Sequence, residues 1–204
     1  MDSMTVLGLC GSPREGSTEY VLRKALEFAR SLDGVAAEFI SVRGKRINFC
    51  LHCDYCVRTK KGCVQKDNVA EFYPIMETAD AWILATPVYQ GSVSGQLKAV
   101  MDRCRAIVAR NPDALKNKVG AAIAVGGDRT GGQEPAIMCI HSFFLANKMI
   151  PVSGGPFGSN LGASVWSKDR GAQGAAQDKV GVRSVERTVE RLVELAKILK
   201  EGTR

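Results

Sequence analysis

Five short apolar runs alternate with amphipathic segments along this chain, and that alternation limits the folds open to it. Thr5–Cys10, Ala36–Val42, Ala81–Thr86, Val119–Val125 and Met149–Val152 read as strands, the second weaker than the rest. Between and after them, Ser17–Leu32, Asn68–Thr78, Gly95–Val108, Gln133–Lys148 and Val182–Lys200 carry helical spacing. Strands buried end to end and separated by helices predict a parallel sheet covered on both faces, an α/β architecture. No internal repeat or shift in composition marks a boundary, so the 204 residues are expected to form one domain. Residues Ser153–Lys179, rich in Gly, Ser and Ala, show no periodicity and are expected to be a long loop with a functional or interface role, with Trp166 as a candidate anchor.

No apolar run is long enough to cross a bilayer, and the N-terminus shows no signal-peptide pattern. The expectation is a cytoplasmic protein without a membrane partner. The net charge of +7 is compatible with an acidic partner. There is no basic recognition helix and no basic patch interleaved with aromatics, so nucleic acid is not an expected partner.

The first strand runs into Gly11-Ser12-Pro13-Arg14-Glu15-Gly16-Ser17-Thr18 and then a helix. Unpaired amides and the helix dipole at such a junction suit an anion, and Ser12, Ser17, Thr18 and Arg14 add donors. The spacing nearly copies the nucleoside-triphosphate loop, but Ser17 stands at its lysine position, so a monophosphate suits it better. The bland reading, a helix start after a glycine turn with no ligand, is weakened by two further glycine-bearing loops. Pro87-Val88-Tyr89-Gln90-Gly91-Ser92 follows the third strand, and Gly127-Asp128-Arg129-Thr130-Gly131-Gly132 follows the fourth. Both leave the carboxyl ends of strands, the edge at which open parallel sheets bind ligands.

The GSPR-x-GST, TPVYxGSVSGQLKAxMDR and GGDRTGGQE segments together resemble the flavodoxin-like flavin reductases, a group that includes NAD(P)H-dependent FMN reductases. That resemblance runs from Met4 to about Val152. It implies a doubly wound five-stranded parallel sheet of order 2-1-3-4-5. It further implies FMN phosphate at Ser12, Arg14, Gly16, Ser17 and Thr18. The isoalloxazine is implied near Pro87, Val88, Tyr89, Gln90, Gly91 and Ser92, with Gly127, Asp128, Arg129 and Gly132 closing over it.

Four of the seven cysteines fall within fourteen positions: Cys50, Cys53, Cys56 and Cys63, spaced C-x2-C-x2-C-x6-C in a segment at about residues 47–66. Two successive x2 gaps place thiolates as a cubane requires, and a more distant fourth completes the set. Structural zinc also takes four thiolates, and spacing alone leaves it open. In a flavodoxin-like chain this motif resembles the iron–sulfur flavoproteins, which implies one [4Fe–4S] cluster on those cysteines, one FMN per subunit, and a homo-oligomer, dimer or tetramer. Ferredoxin or NAD(P)H is then the expected electron donor. Cys10, Cys104 and Cys139 lie on apolar stretches and read as core. His52 is a candidate donor to a cluster sulfur. Arg43, Lys45, Arg46, Arg58, Lys60, Lys61 and Lys66 crowd the segment and are candidates for steering an acidic electron carrier. No catalytic Ser-His-Asp or Cys-His set and no paired carboxylates are legible, so the expected chemistry belongs to cofactors.

Overall fold

The computed structural model describes residues 3–202. Its sheet is parallel throughout and runs in the order β2-β1-β3-β4-β5, as the resemblance implies. The strands are β1 (Met4–Cys10), β2 (Val35–Ser41), β3 (Ala81–Pro87), β4 (Val119–Gly126) and β5 (Ile150–Val152). β1 pairs with β2 from Met4 opposite Val35 to Cys10 opposite Ser41, and with β3 from Val6 opposite Ala81 to Cys10 opposite Ala85. Alternate residues serve opposite faces. Met4, Val6 and Cys10 join one core with Ala81, Ile83, Val119 and Ile123, whereas Leu7, Leu9, Trp82, Leu84, Ala122 and Ala124 join the other.

Helices α1 (Ser17–Ser31) and α8 (Lys179–Glu201) cover the first face through Val21, Leu22, Leu26, Val185, Val189 and Leu192. The second face is covered by α3 (Tyr73–Thr78), α4 (Gly95–Arg103), α5 (Arg105–Arg110) and α6 (Gln133–Ala146). Gly120 leaves room for Phe144 of α6: a Cβ would sit 2.7 Å from its ring. None of the helices in the described residues is long and apolar enough to cross a membrane.

Three expectations need correction. Gly95–Val108 is not one helix, because the chain breaks at Cys104 into α4 and α5. Asn68–Thr78 divides into a 3-10 turn (Asn68–Glu71) and α3, with Pro74 in the first turn of α3. Proline there lacks only an amide that no helix would use.

The third correction is larger. Ser153–Lys179 is not a plain loop: it contains β6 (Ala163–Trp166) and α7 (Gly171–Gln177). β5 pairs only with Val119–Ala121, and β6 takes up the other half of the same β4 edge, Ile123–Gly126, again in parallel. The fifth strand position is thus two collinear pieces separated by residues 153–162. Four residues carry no usable period, and α7 (Gly-Ala-Gln-Gly-Ala-Ala-Gln) has no large apolar residue to show one. The chain re-enters at Gly162, where φ is +150° and a Cβ would lie 2.9 Å from the Ala122 carbonyl.

Candidate functional site

All the strands are parallel, so the segments that follow β1, β2, β3 and β4 leave from one edge of the sheet. At that edge the first loop enters α1 at Gly16, and no side chain caps the helix. The opening amides of Ser17 and Thr18 are therefore without a side-chain cap, an arrangement that suits an anion. Nothing lies within 4 Å of where a Gly16 Cβ would be, so the approach is open. Ser12 is buried and shapes the turn, donating from Oγ to the Arg14 carbonyl (2.7 Å) and accepting from the Arg14 amide (3.3 Å). Thr18 is buried, and Arg14 is exposed at the mouth. Glu19, an acid in the first turn of α1, is neutralised by Arg23 (2.7 Å) and Arg43 (3.1 Å). Burial alone would raise its carboxyl, but the two guanidiniums outweigh burial and hold it below the usual range.

The second loop leaves β3 at Pro87 and is pinned by the Val88 amide donating to the Val125 carbonyl (3.0 Å). Tyr89 and Ser92 exchange backbone bonds of 3.0 and 3.1 Å around Gln90 and Gly91, both at positive φ (49° and 72°). This is a tight two-residue turn with Tyr89, Gln90, Gly91 and Ser92 all exposed. Across from it, the third loop folds back on Gln133, whose amide donates to the Asp128 carbonyl (2.6 Å) and accepts from the Gly131 amide (2.9 Å). Gly132 (φ +99°) touches the second loop: a Cβ there would lie 2.8 Å from Gly91 Cα and 3.3 Å from Val88. Gly127 is half-buried, Asp128 and Arg129 are exposed, and the Arg129 guanidinium lies 4.5 Å from the centre of the Trp166 ring. Lys168 approaches the same ring at 4.9 Å.

For several residues at this edge the role comes from the fold rather than from the motif that contains them. Ser94 is fully buried, accepts from the Leu97 amide (3.1 Å) as the cap of α4, and donates to the Gly11 carbonyl (2.5 Å). It ties the second loop to the first. A serine directly before an amphipathic run is a readable capping signal, but its bond to Gly11 is not readable. Gln133 and Trp166 likewise act through partners set by the fold.

The cysteine segment follows β2 at the same edge. Cys50, Cys56 and Cys63 are half-buried, Cys53 is exposed, and all four are free thiols. Cys56 lies on a one-turn helix, α2 (Tyr55–Thr59), and the backbone winds tightly around it, with positive φ at His52, Asp54, Lys60 and Gly62. Among the described residues no three Cys, His, Asp or Glu side chains converge as a formed metal site, so the structure brings the four thiols onto one loop without closing them on a point. The donor set is still of the kind iron–sulfur clusters take: four unpaired thiols on one chain segment, none committed to a core. The remaining cysteines differ. Burial raises the thiols of Cys10 and Cys104, the latter to about 12, and Cys139 packs half-buried against the second core.

The segment's base is held by a buried ion pair between Asp67 and Arg103, the last residue of α4. Asp67 also accepts from the Asn48 amide (2.8 Å), and Arg103 donates to the Asn48 carbonyl (3.3 Å). Burial opposes ionisation of Asp67, but Arg103 and the amides outweigh it and hold the carboxyl below its usual range. Of the seven basic residues, Arg43 is engaged with Glu19 and Lys45 with Glu71, and Arg46 donates to the Lys66 carbonyl. Arg58, Lys60 and Lys61 are exposed or nearly so and form no ion pair among the described residues. Phe49 (74% exposed) and Leu51 (67%) stand beside them.

Residues 4–163 match the NADPH-dependent FMN reductase family. An iron–sulfur flavoprotein of Methanocaldococcus jannaschii is 53% identical over 194 residues, which cover 95% of this chain and 98% of that one. Among solved structures, RosB with a bound 8-demethyl-8-formylriboflavin-5'-phosphate superposes with a TM-score of 0.77 at 14% identity, covering 98% of this chain and 81% of that one. A flavodoxin, WrbA-like protein of Agrobacterium tumefaciens gives 0.64 at 14% identity, covering 97% and 99%. At those identities the two structures bear on the fold alone.

Proposed function

The chain belongs to the iron–sulfur flavoproteins of the NADPH-dependent FMN reductase family, and from that premise we propose that it passes electrons between a one-electron carrier and FMN, with a [4Fe–4S] cluster on Cys50, Cys53, Cys56 and Cys63. It is a flavin-dependent oxidoreductase. The observation that carries the finer reading is topological: four free thiols leave the carboxyl end of β2, on the same sheet edge as the three loops that follow β1, β3 and β4.

In this reading the uncapped start of α1 receives the FMN phosphate on the Ser17 and Thr18 amides, with Ser12 shaping the loop, Gly16 leaving room and Arg14 adding charge. Pro87 to Ser92 line the ring, Tyr89 offers an aromatic face, and Gly127, Asp128, Arg129 and Gly132 stand on the opposing side. Bound there, FMN supplies one- and two-electron exchange and the cluster one-electron exchange. The protein contributes position and charge: Ser94 fixes the first two loops relative to each other, and Arg58, Lys60 and Lys61 present a basic face suited to an acidic carrier such as ferredoxin. Exposed Phe49 and Leu51 suit that carrier or a second copy of the chain.

The test is anaerobic purification followed by iron, sulfide, zinc and flavin analysis, then stopped-flow reduction with NADH, NADPH and ferredoxin in parallel. About four irons per chain with stoichiometric FMN are expected. Cys56→Ser should lose iron and keep FMN, while Cys104→Ser keeps both. Zinc in place of iron would sink the cluster assignment.

A further inference from the structure

Arg103 is 1% exposed, and its guanidinium is only partly satisfied. Nη1 donates to the Asp67 carboxylate and the Asn48 carbonyl, whereas Nε and Nη2 are buried and have no partner. Buried guanidinium donors left without an acceptor are destabilising, so an acceptor is expected beside them. The position of Arg103 narrows what that acceptor is. Asn48 stands two residues before Cys50 and Asp67 four residues after Cys63, so this one side chain grips both ends of the cysteine segment. Around it, Asp67 is committed to Nη1 and the Asn48 amide. The Tyr73 hydroxyl donates to the Arg103 carbonyl (3.1 Å), and burial pushes its pKa up and keeps it neutral. The Cys104 thiol faces the Val100 carbonyl (3.4 Å). Cys50 and Cys63 are the cysteines that flank the two ends Arg103 grips, next to Asn48 and Asp67 in the chain.

We propose that Arg103 is a positioning residue for the cluster, its free Nε–H and Nη2–H donating to a sulfur at the base of the cysteine segment while its charge raises the cluster's reduction potential. This rests on the reading that the four cysteines hold a [4Fe–4S] cluster. A fixed cation and hydrogen bonds to sulfur favour the reduced, more negative state. Asp67 offsets part of that charge but also keeps the guanidinium in place, and Asp67 makes no contact with the thiols among the hydrogen bonds and ion pairs of the described residues.

The experiment is a dithionite redox titration of the anaerobic holoprotein, monitored by EPR of the reduced cluster, for the wild type, Arg103→Gln and Arg103→Lys. Arg103→Gln should lower the equilibrium constant for one-electron reduction about tenfold, which is about 59 mV. Arg103→Lys, which keeps the charge, should recover at least half of that shift. Wild-type protein with 15N-labelled arginine should show nitrogen hyperfine coupling to the reduced cluster in pulsed EPR, a readout that needs no variant. An iron-loaded Arg103→Gln protein with unchanged potential would overturn the proposal, as would absence of arginine nitrogen coupling. If Arg103→Gln fails to load iron, the coupling in the labelled wild type decides between the two outcomes. Wild-type protein without iron would overturn the cluster reading as well, and the iron analysis distinguishes the two failures.

Discussion

Replacing Ser94 with alanine removes two bonds from one buried hydroxyl, and the cost can be worked from their geometry. The Oγ caps α4 through the Leu97 amide at 3.1 Å and donates to the Gly11 carbonyl at 2.5 Å. Loss of a serine cap costs about 1 kcal/mol. Leaving the Gly11 carbonyl without its donor costs roughly 1–3 kcal/mol more, because the site is buried and no water replaces the hydroxyl. The sum is about 2–4 kcal/mol, and for a chain of this length each kcal/mol moves Tm by roughly 2–4 °C. Ser94→Ala should therefore lower the Tm of the flavin-free protein by roughly 5–15 °C in a circular-dichroism melt. Ser94→Gly separates the two terms: glycine caps nearly as well as serine, so it should melt above Ser94→Ala by the equivalent of about 1 kcal/mol. Because Gly11 begins the loop assigned to the FMN phosphate, flavin affinity should fall in both variants. Each 1.4 kcal/mol expressed at the loop is a tenfold change, read by quenching of FMN fluorescence. A Ser94→Ala protein that melts within 1 °C of the wild type and binds FMN with unchanged affinity would refute the reasoning.

Gly132→Ala forces a side chain at φ +99° into Gly91 Cα and Val88, so it should part the second and third loops and weaken FMN binding about tenfold or more. Gly95→Ala, at the start of α4 with nothing within 4 Å, should leave FMN affinity unchanged in the same titration. The Asp67–Arg103 pair predicts a pH dependence of known sign. The Asp67 carboxyl is depressed in the folded protein, so its stabilisation is complete above the unfolded value of about 3.9 and is lost as pH falls through the lower folded value. In urea melts, Asp67→Asn should be less stable than the wild type by about 3–5 kcal/mol near neutral pH, with the gap closing below about pH 4. A gap that stays constant from pH 6 to pH 3 would contradict this.

Much of this protein is determined by local pattern. β1, the glycine turn and α1 are legible because a buried strand, a break and an amphipathic helix each declare themselves within a few residues. The order 2-1-3-4-5 is legible only through resemblance, since periodicity says where strands are and not which of them pair. The spacing of the four cysteines marks them as a candidate ligand set but leaves zinc open, and only the resemblance points to iron–sulfur.

What tertiary structure decided has a common physical cause: partners far apart in sequence. β6 exists because the Ile123–Gly126 edge of β4 was left unpaired beyond β5, and four residues of Ala163–Trp166 satisfy it. The break at Cys104 lets Arg103 turn inward to Asp67, 36 positions earlier in the chain. Ser94 meets Gly11 across 83 positions. Such contacts leave no periodic trace, because they are set by which buried donor faces which buried acceptor once the sheet has formed. The cysteine pattern and the glycine turn before α1 could be read from the chain, but the guanidinium that joins both ends of the cysteine segment could be recognised only in the folded protein.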